Sequence, residues 1–588
     1  MAVFFKKHRQ IFILAFTIGL LVVAPTLSAI LQVGSDFKGI YPMFSNDEDQ
    51  YLAMTREVYD WHYNFGSVYL KEHKESPDLQ QPLAEIIFAE MAKIFNISIP
   101  TIFAINDFLL PFVGVIALYF LLFGITKSAA VSSIFSSGYY MLFLYWFNRP
   151  INPQFSFIFL FLGLLVIWKI IENTEKSLKQ YAGWNMLLTV IFGATFYIYP
   201  FVWSSILVVY CLMLFLLVIT ERRVGHYVKN FLCFAVPASV FSIPYVISLQ
   251  KAALDPNYRD ANLRFGFIFN HWPGAYFNVL LMLVCLIVLF LATKKITERR
   301  VLFGYSAAFA GIALNWQNVI TGKAFSFSMH YYWVIALFIF LIFSICVSIL
   351  RDNYKNSLLN YRGIFAIFLM LAMLSGLAYK ERDSMRFGLV GFMNPLNIEE
   401  LKDQQRLADV ADWFDKNSIH DSAILSLGKN YHGFIPTYTY NNDFQNANSG
   451  LFLISDDELE NRWVIQNFFS PNIDREYVEK HSVEIWANKF IEQYQSQANR
   501  NKIISFFIGT KQAEAEFIPQ EYINRVLAKV NFYKTLGFGK SLKQYSVDYI
   551  LLDTNDAEYG YLAETLKQMP FLALVASIEN HLIFKVVK

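Results

Sequence analysis

Charge is scarce in this chain: Asp, Glu, Lys and Arg together make up 16% of 588 residues. An ordinary soluble domain carries about a quarter, so a single water-soluble core is excluded. Cysteine is scarcer still. Cys211, Cys233, Cys285 and Cys346 all fall inside apolar runs, so neither a disulfide framework nor a thiolate metal site finds support, and the redox compartment stays open. Charges are nearly absent from the apolar runs and crowd between them, so the net charge of +2 gives no argument for a nucleic-acid partner. The long C-terminal polar segment has no Ser/His/Asp constellation, Gly-rich phosphate loop or Cys/His metal spacing. It also has no clean repeat and no low-complexity stretch.

What abounds is apolar surface: 55% hydrophobic and 18% aromatic residues, with a mean hydropathy of +0.36. Runs long enough to cross about 30 Å of hydrocarbon recur near 11–31, 101–123, 128–148, 154–171, 184–200, 202–220, 229–249, 274–293, 300–316, 331–350 and 363–380. They predict about eleven transmembrane helices. The first follows Lys6, Lys7, His8 and Arg9 and exceeds a signal-peptide core in length, so it reads as an uncleaved span. Lys6/Lys7/Arg9, Lys127, Lys169/Lys176/Lys179, Arg222/Arg223/Lys229, Lys294/Lys295/Arg299/Arg300 and Arg351/Lys355/Arg362 all fall on one face, which the positive-inside rule makes cytoplasmic. The other face receives 32–100, the turns at 149–153 and near Tyr199-Pro200, the loops 250–273 and 317–330, and everything after 380. The expectation is a multi-pass plasma-membrane protein with a cytoplasmic N-terminus, a membrane module over 1–380 and an extracytoplasmic domain over 381–588.

The first outer segment carries two helical patterns. One starts at Ser45-Asn46-Asp47-Glu48, which reads as a capping box, and continues through Tyr51, Leu52, Thr55, Val58, Tyr59 and His62. The other runs from Pro82 through Leu83, Ile86, Ile87, Glu90, Met91 and Ile94. Both read as amphipathic helices at the membrane surface, with Lys71–Gln81 as a surface loop between them. The tail mixes the amphipathic stretch Ile398–Asn417 with short runs at Ser422–Leu427, Ile503–Ile508, Val547–Leu552 and Leu582–Val587. That mixture predicts a small α/β or α+β domain.

Asp47, Glu48 and Asp49 form the densest acidic cluster on the outer face. Carboxylates in a first helical turn are stabilised by the helix dipole and need no other role. Their position just after the first span suggests a second one, since a carboxylate held at the membrane surface can deprotonate an acceptor hydroxyl beside a lipid-borne donor. Such a donor carries phosphate, and the same face offers cations. Arg149 stands in Asn148-Arg149-Pro150-Ile151-Asn152-Pro153-Gln154, Arg259 and Arg264 in the loop 258–272, and Asn318, Lys323 and His330 around the loop 317–330. The competing role for each Lys or Arg is headgroup anchoring, and for His330 a satisfied interfacial histidine.

A first span, a long outer loop opening on Asp47-Glu48-Asp49-Gln50-Tyr51-Leu52, surface helices, many further spans and an outer C-terminal domain together resemble the GT-C superfamily of polyprenyl-phosphate-sugar-dependent membrane glycosyltransferases, of the dolichyl-phosphate-mannose–protein mannosyltransferase kind. The resemblance covers 1–380 by architecture and rests on one short acidic motif. It implies a base at Asp47 or Glu48, with Asp49 as a further candidate, and no second catalytic acid is matched in a later loop, where Asp255 and Asp260 carry no distinguishing context. It implies inverting hexosyl or pentosyl transfer to a glycan, lipid or protein acceptor, with Tyr51, Arg149, Asn152, Gln154, Arg264, Asn318, Lys323 and His330 as candidate substrate contacts. No cofactor is required by the pattern, although the three carboxylates offer oxygen ligands to a divalent cation such as Mg or Mn. Two other classes compete. A transporter or flippase would place ionisable groups within its spans, where Asp107 alone stands out near an outer end. A non-catalytic scaffold would concentrate its binding groups in the tail.

Overall fold

The computed structural model describes residues 2–44, 47–173, 178–324, 330–354, 360–391, 396–428, 431, 433–510 and 516–587. Ser45 and Asn46 of the expected cap, and Lys176 and Lys355 of the charge pattern, lie outside them.

All eleven apolar runs fold as helix. In chain order the first elements are α1 (Ala2–Val33), α2 (Glu48–Tyr59), α3 (Leu83–Phe95), α4 (Ile99–Thr126), α5 (Ala129–Leu142), α6 (Leu144–Asn148) and α7 (Ser156–Glu172). They are followed by α8 (Leu178–Phe196), α9 (Pro200–Glu221), α10 (Val224–Ala253), α11 (Tyr258–Arg264), α12 (Tyr276–Ala292), α13 (Arg299–Thr321), α14 (His330–Asn353) and α15 (Tyr361–Lys380). Six helices among the described residues have the length and apolar composition to cross a membrane: Lys6–Asp36, Ile99–Thr126, Pro200–Glu221, Val224–Ala253, His330–Asn353 and Tyr361–Lys380. The run 128–148 is not one helix. It breaks at Phe143 between α5 and α6, and the Tyr145 N–H freed nearby donates to Ser384 Oγ at 3.2 Å.

Local sequence sets several boundaries. Ser98 caps α4 by accepting from the Thr101 N–H, Pro100 occupies its first turn, and Lys127 closes it in the left-handed region. α14 is the hub, almost wholly buried against helices on all sides, whereas α10, α12 and α15 present Val236, Val240, Ile243, Leu280, Phe290, Phe368 and Leu371 outward. Apolar side chains on the outside of an apolar bundle fit a lipid environment. The two ends of the bundle differ as the charge pattern divides them. Lys127–Glu172 (2.6 Å), Arg299–Glu221 (3.2 Å) and Arg300–Asp352 (2.9 Å) tie helices at one end. Asp47, Arg149, Tyr199 and His330 meet at the other.

The first loop is more than a connector. α2 and α3 share a core with Phe65, Val68, Tyr69 and Leu70 from the intervening chain. Gly66 is required there, because a Cβ would lie 2.2 Å from the carbonyl oxygens of His73 and Lys74. The expected surface loop Lys71–Gln81 is half-buried instead, because its charged groups find partners in the tail. His73 meets Glu458 at 2.9 Å, Glu72 meets Arg462 at 3.0 Å, and Lys74 bridges Glu57 at 2.8 Å and Asp421 at 2.5 Å.

A two-stranded antiparallel ribbon joins β1 (Ile268–Phe269) to β2 (Lys323–Ala324) across the loops that follow α11 and α13. After α15 come α16 (Arg382–Arg386), α17 (Ile398–Gln405) and α18 (Leu407–Asn417). Beyond them lies a five-stranded sheet of β3 (Ala423–Leu427), β4 (Asn442–Asp443), β5 (Tyr549–Asp553), β6 (Leu572–Ile578) and β7 (His581–Val586) in the order β4-β3-β5-β7-β6. β4, β3 and β5 run parallel, and β7 and β6 are added antiparallel. Side chains alternate between faces with period two. Ile424, Tyr549, Leu551 and Ile583 pack under α18 and α19 (Phe434–Tyr438). Leu425, Leu427, Ile550, Leu552 and Phe584 pack under α20 (Asp456–Gln466), α21 (Arg475–Lys480), α22 (Ser482–Trp486), α24 (Gln520–Leu536) and α25 (Phe538–Leu542). The run Ile503–Ile508, expected as a short apolar element like the strands, is the end of the helix α23 (Ile491–Ile508). Phe506 and Phe507 there are exposed rather than packed in the sheet core.

Candidate active site

The strongest convergence of polar side chains lies at the end of the bundle that carries α2 and the turn between α6 and α7. Asp47 stands at the N-cap position of α2 without a capping side-chain hydrogen bond, and its carboxylate pairs instead with the Arg149 guanidinium. The Asp47 side chain keeps 39% of its surface exposed while Arg149 keeps 12%, so the cation is seated in the protein and the anion faces the opening. Arg149 Nη1 also donates to the Asn152 carbonyl at 3.2 Å and lies 3.4 Å from His330 Nε2. The other ring nitrogen of His330 is hydrogen-bonded to the Tyr199 hydroxyl. The His330 ring stacks on Trp333 at 4.7 Å, and the guanidinium lies over Trp333 at 5.6 Å and Tyr51 at 6.0 Å. A charge-bearing pair is thereby walled by three aromatic rings.

The turn holding Arg149 is irregular: Ile151 has φ +61°, and the Asn152–Pro153 peptide is cis. A β-branched residue in the left-handed region is sterically unfavourable, and here it is held by burial of Ile151 among Phe155, Ile158 and the α2–α3 core. Beneath the turn, Gln154 Nε2 donates to Asp107 Oδ1 at 2.8 Å and to the Phe147 carbonyl at 3.0 Å, while Ser156 donates to Asn152 Oδ1 at 2.9 Å. Buried polar atoms of Asn106, Tyr140, Asn148, Asn152 and Gln154 find no partner among the described residues. Buried groups of this kind ordinarily bind something, and their clustering makes the floor of the site suited to a polar ligand.

The three adjacent carboxylates diverge. Asp47 faces Arg149. Glu48 accepts the Phe44 N–H at 3.0 Å and is an electrostatic neighbour of Asp107. Asp49 turns toward the tail, where Asn448 Nδ2 donates to it at 3.2 Å and Gly433, at φ +64°, passes so close that a Cβ would lie 2.6 Å from Asp49 Cβ. Among the described residues no three His, Cys, Asp or Glu side chains converge as a metal site would require. Asp47, Glu48 and Asp49 each turn to a different partner. Two further acids nearby are uncharged at neutral pH or close to it. Burial pushes Glu85 of α3 up to about 8, and burial pushes Asp443 of β4 up to about 7.

Of the residues singled out in the sequence, Asp47, Tyr51, Arg149, Asn152, Gln154 and His330 come together. Three others are engaged elsewhere. Arg264 is fully buried, paired with Asp456 and donating to the carbonyls of Gly450, Phe452 and Ile454. Asn318 ties the loop 270–272 by donating to the carbonyls of Asn270 and Trp272, and Lys323 is exposed in the β1–β2 ribbon. Tyr199 and Trp333 belong to the site without having been read as such. The Tyr199-Pro200 turn and the position of Trp333 one helical turn after His330 are the only signals the sequence offers.

No family model and no curated protein matches the chain. The solved structures include a fold match across 99% of this chain, at a TM-score of 0.52 and 12% identity: the cryo-electron-microscopy structure of the arabinofuranosyltransferase AftD from Mycobacteria. The match covers 40% of that larger chain, so this protein spans about two fifths of its length. The likeness extends over the helical bundle and the tail together and is one of fold.

Proposed function

We propose, from a fold shared with a membrane glycosyltransferase, that this chain transfers a sugar from a polyprenyl-phosphate-linked donor to an acceptor on the outer side of the membrane. The observation that carries the reading is the Asp47–Arg149–His330 cluster, a carboxylate facing an opening with a seated guanidinium behind it.

In this reading all eleven apolar helices are spans, α1 begins in the cytoplasm of a plasma membrane, and residues 381–588 form an extracytoplasmic domain. Asp47 is the base. Its carboxylate takes the proton of an acceptor hydroxyl, the oxygen attacks the anomeric carbon, and the bond from that carbon to the lipid phosphate oxygen breaks with inversion. Arg149 and the unpartnered Asn152 Nδ2 beneath it receive the leaving phosphate, whose developing charge a seated guanidinium stabilises without reorganising. Tyr51 and Trp333 offer aromatic faces beside the sugar. Glu48 serves the start of α2 and Asp49 the contact with the tail, so neither acts as the base. No step runs through a metal.

The test is transfer of radiolabelled sugar from polyprenyl-phosphate donors by the membrane-embedded protein, with and without chelator. Asp47→Asn should lower turnover by two orders of magnitude or more, as loss of a general base does, and Glu48→Gln should retain most of it. Full activity of Asp47→Asn removes it as the base, and activity abolished by chelator overturns the metal-free route. No transfer from any donor tested, by a protein that is folded, favours a scaffold whose tail binds a partner.

A further inference from the structure

A second cavity, of about 270 Å³, opens in the tail away from the Asp47 cluster. Its walls follow directly from the sheet topology. Ser426 and Gly428 leave the carboxyl end of β3, Gln445 and Asn446 follow β4, and Glu558 and Tyr559 follow β5. The chain leaving β3 enters α19 on one face of the sheet, while the chain leaving β4 enters α20 and its neighbours on the other. Adjacent parallel strands whose connections depart on opposite faces leave a crevice at their carboxyl ends, the place where open α/β sheets bind ligands.

The chemistry of the lining is specific. Tyr477 stacks on His481 at 4.4 Å, and Trp463 stands 6.0 Å from Tyr477, forming an aromatic wall. Carboxylates and amides alternate around it. Glu484 accepts from Trp463 Nε1 at 3.2 Å and meets His481 Nδ1 at 2.9 Å, while Asn467 Oδ1 accepts from the hydroxyls of Tyr477 at 3.2 Å and Tyr559 at 3.3 Å. No Lys or Arg lines the cavity among the described residues, so nothing there recommends a phosphate or a nucleotide. Two buried polar groups on the wall, the Tyr431 hydroxyl and Gln445 Oε1, have no partner among the described residues, although their side chains are only 3% and 8% exposed. Unpartnered groups at such depth call for a ligand with hydroxyls.

We propose that this crevice is a binding site for a neutral sugar ring. The aromatic wall covers the C–H face of the ring, and the carboxylates, amides and the Tyr431 and Gln445 groups take its hydroxyls. The site stands apart from the transfer reading, since none of its residues belongs to the Asp47 cluster. The cavity is of the scale of a single ring rather than a chain, and Asp443 on its wall is also an electrostatic neighbour of Asp49.

Saturation-transfer NMR and calorimetry on the full chain in nanodiscs, with methyl glycosides of mannose, galactose, glucose and arabinose as probes, test this directly. At least one glycoside should bind saturably, and Tyr431→Phe and Gln445→Ala should each weaken it about tenfold, as loss of one hydrogen bond predicts. Asp47→Asn should bind it as the wild type does. Tyr431→Phe keeps the ring and the packing, so an unchanged melting temperature separates lost binding from lost fold. Saturable binding of none of the probes, binding indifferent to both variants, or stronger competition by inorganic phosphate or choline would each overturn the proposal. Sugar binding that survives in a protein shown to transfer nothing would sink only the transfer reading.

Discussion

Replacing Arg264 by Met separates two roles for a fully buried cation. Its side chain is wholly inaccessible and joins loop to tail. Nε donates to the Gly450 carbonyl at 2.7 Å, Nη2 to those of Phe452 at 3.1 Å and Ile454 at 2.5 Å, and Nη1 pairs with Asp456. Methionine fills the volume but strips the Gly450 and Ile454 carbonyls and part of a carboxylate of their donor, while the Phe452 carbonyl keeps the Ile454 N–H at 2.9 Å and Asp456 keeps Lys489. Removing one member of a buried pair costs about 3–5 kcal/mol. At about 1.4 kcal/mol per factor of ten, the segment around 447–456 should open roughly 10²- to 10⁴-fold more often. Hydrogen exchange of the full chain in detergent reads this directly, because amide exchange follows the local opening equilibrium. The Arg264→Lys variant, with a charge but no planar fork, should fall between. Exchange unchanged in Arg264→Met, together with lost sugar transfer, would refute the anchoring role and return Arg264 to the substrate. Arg149→Met should do the reverse, lowering transfer without loosening 447–456.

Three further expectations follow from the same geometry. Burial holds Glu85 protonated, its pKa raised from 4.5 to about 8, so the stability contributed by that neutral acid is full below about pH 4 and is lost as pH rises through 8. The stability of the wild type between about pH 5 and 8 should decline by up to about 1.4 kcal/mol per pH unit more steeply than that of Glu85→Gln, and parallel curves over that range would show that Glu85 is ionised when folded. Gly433→Ala should destabilise the tail by more than about 1–2 kcal/mol, because it adds overlap with Asp49 to the cost of a left-handed residue; Gly509→Ala, at φ +75° with no neighbour within 4 Å, should show the conformational cost alone. Cys211 and Cys233 are exposed on apolar helices while Cys285 and Cys346 are buried. In sealed vesicles a charged thiol reagent should label none of the four, and a lipid-soluble maleimide should reach the first two. Labelling of Cys233 by the charged reagent would show that α10 does not face lipid.

The helices were readable because an apolar run of bilayer length has few alternatives, and because caps such as Ser98 with Pro100 act within one turn. The acidic motif was readable because three adjacent carboxylates follow the first apolar run and open a helix, and Arg149 because it is a lone charge between two apolar runs, next to Pro and Asn that stop a helix. What stayed hidden depends on distant partners. Arg264 reads as a ligand cation until Asp456, 192 residues later, is seen to claim it. Trp333 lies inside an apolar run, where its ring is indistinguishable from packing until His330 stacks on it. In the tail, β3 and β5 showed themselves as apolar runs because both faces of a central parallel strand are buried, whereas the two residues of β4 are polar and carry no strand signal. Ile503–Ile508 misled for the opposite reason, an apolar cluster at a helix end that the sheet never uses.

The contact between Asp49 and Asn448 spans 399 residues of chain. At ribosomal rates of about 5–20 residues per second, Asp49 leaves the ribosome roughly 20–80 s before its partner exists. Throughout that interval Asp49 lacks the wall of the tail against which it comes to rest. Only a finished chain supplies that wall. Synthesis therefore delivers the membrane helices first and the completed cleft last, so a truncated product would be inserted in the bilayer yet lack the surface against which Asp49 and the loop 60–81 come to rest.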